Sequence, residues 1–161
     1  MEDSYVKSVM VDAVMEALKT MLSGKGGPFG AALVNKETYV VEEVSSNLVL
    51  ETHDPTAHAE ITAIRNLTKK LGTHDLSNYV LVTTCYPCPM CMGAIIWANI
   101  DTVYYGSTAE DARDIGFRDD HIYEFIKGGC TDSNLVKIEQ VGRSLTIDLF
   151  VEYDKLNGEI Y

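Results

Sequence analysis

Two short stretches of this 161-residue chain carry residue types that hold a metal ion and move protons. The first is His58-Ala59-Glu60; the second, 27 residues beyond Glu60, is Pro87-Cys88-Pro89-Met90-Cys91. One imidazole and two thiolates can bind Zn²⁺ as three protein ligands and leave its fourth position open. An open zinc position beside a carboxylate that need not be a ligand is the minimum for hydrolysis by an activated water. Either half alone is weak, because Cys-x-x-Cys also suits a redox dithiol. That reading leaves His58 and Glu60 without a part. A closed structural site needs a fourth Cys or His, and Cys85 is the nearest candidate. The expected cofactor is one Zn²⁺ per subunit, held by His58, Cys88 and Cys91, with Glu60 as the proton carrier.

The spacing constrains the elements that must present these groups. Cys88 and Cys91 are three apart and can chelate one ion from a single helical turn. A helix N-terminus favours thiolate over thiol there. His58 and Glu60 are two apart, which on a regular helix points them in different directions. Both can face one metal only if the helix end is turned toward it, so that one of them works from the first turn.

The remaining pattern supplies those helices. Residues 4–22 place Val6, Val9, Met10, Ala13, Val14, Ala17, Leu18 and Met21 at three- and four-residue spacing, which reads as an amphipathic helix with Ser4 as its cap. Residues 24–30 are glycine-rich without the Lys-Ser/Thr ending of a phosphate loop, and so read as a tight turn with close backbone approach. Residues 31–35 and 39–44 read as a hairpin, 45–56 as a polar loop, and 57–71 as a helix. A strand over 79–84 leads to a helix over 90–99 entered through Pro87 and Pro89. Strand 102–105, a helix–loop–helix over 108–127, a fifth strand over 135–140 and a C-terminal helix through Leu145, Leu149, Tyr153 and Leu156 complete the chain. Strands alternating with helices imply an α/β sandwich.

Composition narrows the function classes. Hydrophobic residues at 46% and charged residues at 23% suit one globular domain over residues 1–161. No apolar run is long enough for a membrane span, and Met1-Glu2-Asp3 lacks the basic and apolar regions of a signal peptide. A cytoplasmic protein with reduced thiols and no membrane partner is expected. Three of the four cysteines fall within residues 85–91; Cys130 stands apart as a partly buried, inert thiol. The net charge of −11, with 13 basic against 24 acidic residues, disfavours a nucleic-acid partner, whose phosphates call for Lys/Arg patches. The expected partner is a small molecule.

The chain also resembles the cytidine-deaminase superfamily, and within it the small bacterial guanine deaminases and related guanosine deaminases. The match is carried by Gly26-Gly27-Pro28-Phe29-Gly30, Asn47, Asp54-Pro55-Thr56-Ala57-His58-Ala59-Glu60, Cys88-Pro89-Met90-Cys91-Met92-Gly93-Ala94-Ile95-Ile96-Trp97, Val103-Tyr104-Tyr105-Gly106, Gly116-Phe117-x-Asp119 with Ile122-Tyr123, and the terminal Tyr161. The resemblance implies a three-layer α/β/α sandwich around a mixed five-stranded sheet. It implies deamination of a small aminopurine in purine catabolism, guanine to xanthine plus ammonia. Guanosine and amino-triazines remain alternative substrates, and a tRNA adenosine deaminase an alternative of another class. By the same resemblance Phe29 and Trp97 pack around the purine, Asn47 bonds it, and Asp119 contacts its polar edge and assists at the leaving amine. Tyr161 closes the pocket, arriving from the other subunit of a homodimer through a swapped segment of about residues 129–161.

Two positions depart from the family pattern. Tyr86 stands where Cys-Glu-Pro-Cys is usual, so a carboxylate beside the ligands is missing. Arg118 replaces the first Asp of Gly-Phe-Asp-Asp, adding a cation beside Asp119 that could favour a modified or sugar-bearing ring.

Overall fold

Alternation along β1 (Gly30–Asn35) decides how the layers are built. Ala31 and Leu33 face one side of the strand, Ala32 and Val34 the other, and all four are fully buried. A strand buried on both faces needs helices on both sides. In the computed structural model, which describes all 161 residues, it has them. On one face Ala32, Val34 and Val82 pack with Val6 and Val9 of α1 (Asp3–Leu22). On the other, Ala31, Leu33 and Leu81 pack with Ala63 and Leu67 of α3 (Ala59–Leu71) and Ile95 of α4 (Pro89–Trp97). Full burial of a leucine such as Leu33 or Leu81 contributes about 1.5–3 kcal/mol each. α1 lies so close to β1 that a β-carbon at Gly30 would strike the Ala13 carbonyl.

The sheet order is β2-β1-β3-β4, with β2 at Val41–Ser46, β3 at Tyr79–Cys85 and β4 at Val103–Ser107. β1 runs antiparallel to β2 and β3; β3 and β4 are parallel, connected through α4. One turn of helix, α2 (Val49–Thr52), follows β2, and α5 (Ala109–Asp114) follows β4 behind a capping box made by Thr108 and Asp111.

The sheet is mixed, as expected, but it has four strands where five were expected. Residues 135–140 form no strand, although Leu135, Val136 and Ile138 give the run a strand-like composition. The Asp132 carbonyl accepts the N–H groups of both Leu135 and Val136 in a turn, which diverts the start of the run from any ladder. β2 starts at Val41 and not at 39, because Tyr39 is left-handed (φ 58°). The segment expected as a loop over 45–56 contributes the end of β2 and all of α2. α1 begins after Glu2 and not at a Ser4 cap, and it turns only part of its apolar surface to the sheet. Val14, Leu18 and Met21 stay exposed and line an apolar groove of about 360 Å³ with Cys85, Ala112 and Ile115.

The contacts divide the chain into two units, Met1–Asp120 and His121–Tyr161. All of the sheet belongs to the first. α6 (Asp120–Lys127) starts at the boundary. The second unit carries α7 (Arg143–Lys155), entered through a left-handed Gly142 (φ 71°). Its apolar residues Leu145, Leu149, Phe150 and Leu156 are exposed, and the Tyr153 hydroxyl donates to the Glu159 carbonyl at 2.7 Å. No helix is long and apolar enough to cross a membrane.

Candidate metal centre and active site

The two-residue separation of His58 and Glu60 is resolved by where α3 starts. His58 is the N-cap, with extended backbone (φ −65°, ψ 159°), and Glu60 lies in the first turn. The change of backbone conformation between them aims both side chains at one point. Cys88 is likewise the N-cap of α4 (φ −66°, ψ 167°), with Pro89 as the first helical residue and Pro87 fully buried before it. The Cys91 N–H donates to Cys88 Sγ at 3.5 Å.

His58 Nδ1 lies 3.6 Å from Cys88 Sγ and 3.6 Å from Cys91 Sγ, and the three donor atoms all fall within 4.8 Å of one another. Zn–N and Zn–S bonds of ~2.05 and ~2.3 Å at a tetrahedral angle put N and S about 3.6 Å apart. The residues therefore fit zinc. Cys85 does not complete a fourth corner: its thiol donates to the Thr108 carbonyl at 3.4 Å. Burial, with Glu60 adding to it, pushes that thiol up to about 11, so it stays protonated. The donor set has three members and corresponds to an open site.

The local electrostatics suit cation binding. Interaction with the Cys91 thiol, with His58 alongside, holds the Cys88 thiol well below the ordinary thiol range. Cys91 moves up as the group that keeps the shared proton, and His58 moves up through its bond to Cys88. Glu60, only 6% exposed, is raised by burial; bonds from its own N–H and from Thr83 work against that rise. Thr83 Oγ1 donates to Glu60 Oε1 at 3.0 Å, and Cys91 Sγ lies 3.4 Å from Oε2.

A cavity of about 480 Å³ opens onto His58, Glu60 and Cys88. Of the residues expected at the substrate, Phe29, Asn47 and Asp119 line it. Phe29 meets Phe117 edge-on, with ring centroids 4.9 Å apart. Asn47 Oδ1 accepts the N–H groups of Gly27 (3.2 Å) and Val49 (3.1 Å), so donation from Nδ2 is what remains for a ligand. A β-carbon at Gly26 would collide with the Asn47 carbonyl, which is the close approach expected of the glycine-rich turn. Asp119 adds its negative field to His58. Trp97 ends α4, is 67% exposed and lies outside the cavity lining. Tyr161 belongs to the second unit and is 72% exposed.

Both departures from the family pattern have a place. Tyr86 contributes to the cavity lining and stacks edge-on against Tyr105 at 5.1 Å. Arg118 pairs with Asp120 through two bonds, at 3.3 and 3.1 Å, so the carboxylate offsets its charge. Sequence reasoning gave no role to Thr83 or Phe117. Thr83 had a signal: it falls on the strand face of Tyr79 and Leu81, an unexplained hydroxyl among buried apolar groups.

The layered fold and the three-donor centre define a zinc-binding deaminase domain. The chain belongs to the cytidine and deoxycytidylate deaminase zinc-binding family, whose model matches residues 3–107. It is 46% identical over 114 residues to the guanine deaminase of Bacillus subtilis, covering 71% of this chain and 72% of that protein. The crystal structure of a guanine deaminase from Bacillus subtilis superposes with a TM-score of 0.87 at 34% identity, over 100% of this chain and 99% of that one. A guanine deaminase from Nitrosomonas europaea superposes with a TM-score of 0.65 at 31% identity, over 69% and 63%. A tRNA-specific adenosine deaminase from Haemophilus influenzae is 40% identical over 91 residues, 56% of this chain and 52% of its own length.

Proposed function

We propose that this chain is a zinc-dependent aminopurine deaminase that converts guanine and water to xanthine and ammonia. The observation that carries it is the three-donor centre, with Cys85 turned away and the buried Glu60 carboxylate beside it. When bound, zinc supplies Lewis-acid activation of a water, lowering that water's pKa to about 7. Glu60 takes the proton and delivers it to the departing amine. Thr83 fixes the carboxylate's orientation. Asn47 donates to the ring, Phe29 packs against it, and Asp119 accepts from its amino edge. Tyr161 retains the closing role that the resemblance implies, whereas Trp97, outside the cavity lining, is given no part in this chain's own pocket. The kinship with two guanine deaminases, one of them across the full chain, supports guanine over guanosine and amino-triazines.

The likeness to a tRNA adenosine deaminase covers half of that enzyme, and the net charge of −11 opposes polynucleotide binding. The working form is a cytoplasmic homodimer with residues 129–161 exchanged, so that Tyr161 closes the partner's cavity. Exposed apolar side chains on both α1 and α7 support such an assembly.

The test is Glu60→Gln. Gln keeps an oxygen for Thr83, so one zinc per chain is retained. Loss of the proton carrier lowers kcat by ~10²–10⁴-fold. Ammonia release is followed over guanine, guanosine, adenine, cytosine, cytidine and ammeline. Turnover of guanine by the variant within tenfold of the parent refutes the proton-carrier role. A parent that spares guanine but deaminates another ring reassigns the substrate.

A further inference from the structure

The loop that delivers His58 is tied down by three side chains that the chemistry above does not use. Asp54 Oδ1 accepts the Thr56 backbone N–H at 2.8 Å and the Thr56 hydroxyl at 2.7 Å. Asp54 Oδ2 accepts from Arg65 Nη1 at 3.0 Å, and Arg65 Nη2 donates to Thr56 Oγ1 at 3.2 Å. Each of the three groups thus bonds both of the others. The backbone extends this ring to the metal ligand: the Ala57 N–H donates to the Asp54 carbonyl at 3.1 Å, and the His58 N–H to the Thr56 carbonyl at 2.7 Å.

Arg65 is suited to the task by position. It lies seven residues past His58, about two turns along α3 and on nearly the same helical face. Helical side chains lean toward the N-terminus, so its guanidinium reaches back over the first turns to the loop. The planar fork spans Asp54 and Thr56 at once, which a lysine ammonium cannot do.

The ligands differ in how much support they have. Cys88 and Cys91 are buried, share one turn, and have Pro87 and Pro89 restricting the backbone around Cys88. His58 is only half-buried, at the end of a loop, and its side chain makes no capping bond to α3. Its ring direction depends on the path of residues 54–58.

We infer that Asp54, Thr56 and Arg65 form a positioning clamp for the imidazole ligand. The clamp holds the loop where Nδ1 stands 3.6 Å from both sulfurs, and so sets how long the metal is kept. The inference rests on the zinc reading proposed above. It separates from a plain structural role because Arg65 and Asp54 are 56% and 37% exposed at their side chains. Ion pairs so exposed add little to global stability. Groups that orient a ligand from behind, by contrast, alter metal affinity by ~10–100-fold.

The experiment follows zinc release from the zinc-loaded protein into excess chromogenic chelator. Arg65→Ala is expected to release zinc ~10–100-fold faster than the parent. Arg65→Lys, with the charge but not the fork, falls between them. Lys70→Ala removes another exposed pair of the same helix, Lys70–Glu42 at 3.0 Å, and is expected to release at the parental rate. With Co²⁺ in place of zinc, the ligand-field bands of Arg65→Ala shift while those of Lys70→Ala match the parent. Release by Arg65→Ala at the parental rate overturns the inference. So does equal acceleration in Lys70→Ala, which would mark general loosening of α3. A parent that does not hold one zinc per chain overturns the deaminase reading itself, and the clamp with it.

Discussion

Thr83→Val removes one hydroxyl from the core and nothing else of similar size. Thr83 is 1% exposed, and its single proton goes to Glu60 Oε1 at 3.0 Å, the Gly30 carbonyl being farther away at 3.4 Å. Valine keeps the shape and loses that donor. In the zinc-bound centre Cys91 is a thiolate and cannot donate to Glu60. The carboxylate then retains its own backbone N–H as its remaining donor within the chain. A hydrogen bond to a charged group contributes about 1.5–3 kcal/mol. If that loss falls on the orientation of the catalytic carboxylate, kcat/KM drops by ~10–100-fold, at about 1.4 kcal/mol per decade. Zinc content should stay at one per chain, because no ligand is touched. Thr83→Ser keeps the hydroxyl and should recover activity to within a fewfold of the parent. The assay is steady-state loss of guanine absorbance with metal analysis of the same samples. Parental kcat/KM in the valine variant with zinc intact refutes the reasoning, as does a serine variant no better than valine.

Two further outcomes follow from the same geometry. Cys85→Ala should retain one zinc per chain by metal analysis, and loss of zinc would mean a closed four-ligand site. Asp101 is held below the ordinary carboxylate range by bonds from Lys36, at 2.6 Å, and from Thr102. A depressed folded-state value means its contribution to stability is present above about pH 4 and is lost as pH falls through the lower, folded value. Lys36→Met should therefore move the Asp101 carboxyl titration upward in NMR; an unchanged midpoint rejects the pairing.

The parts of this molecule that were legible in the sequence are those whose signal is local. β1 and β3 announce themselves by short apolar runs, α3 by its period, and the metal ligands by type and spacing. What was not legible depends on partners distant in the chain. Residues 135–140 have the composition of a strand, but composition cannot show that Asp132 captures the first N–H groups. The apolar surface of α1 is wider than the sheet can cover, so Val14, Leu18 and Met21 share the helical spacing of the buried residues and are nonetheless exposed. The Asn47 oxygen is committed to Gly27, twenty residues away, and Arg65 to Asp54, eleven residues away. No spacing rule encodes either pair. The puzzle of His58 and Glu60 was posed correctly by the sequence, but its answer needed the backbone angles of an N-cap.

That answer has a thermodynamic side. His58 and Cys88 are both residues at which a helix begins, and they stand on opposite sides of β3 in the chain. The donor set therefore exists only when two helix starts and the strand between them have formed together. An unfolded chain offers the same side chains without their geometry. Zinc is then a ligand of the native state, and each tenfold rise in free zinc above the dissociation constant adds about 1.4 kcal/mol to the folding free energy. The fold is thereby coupled to metal supply through its own stability, and removing zinc with a chelator is expected to lower the melting temperature of the chain.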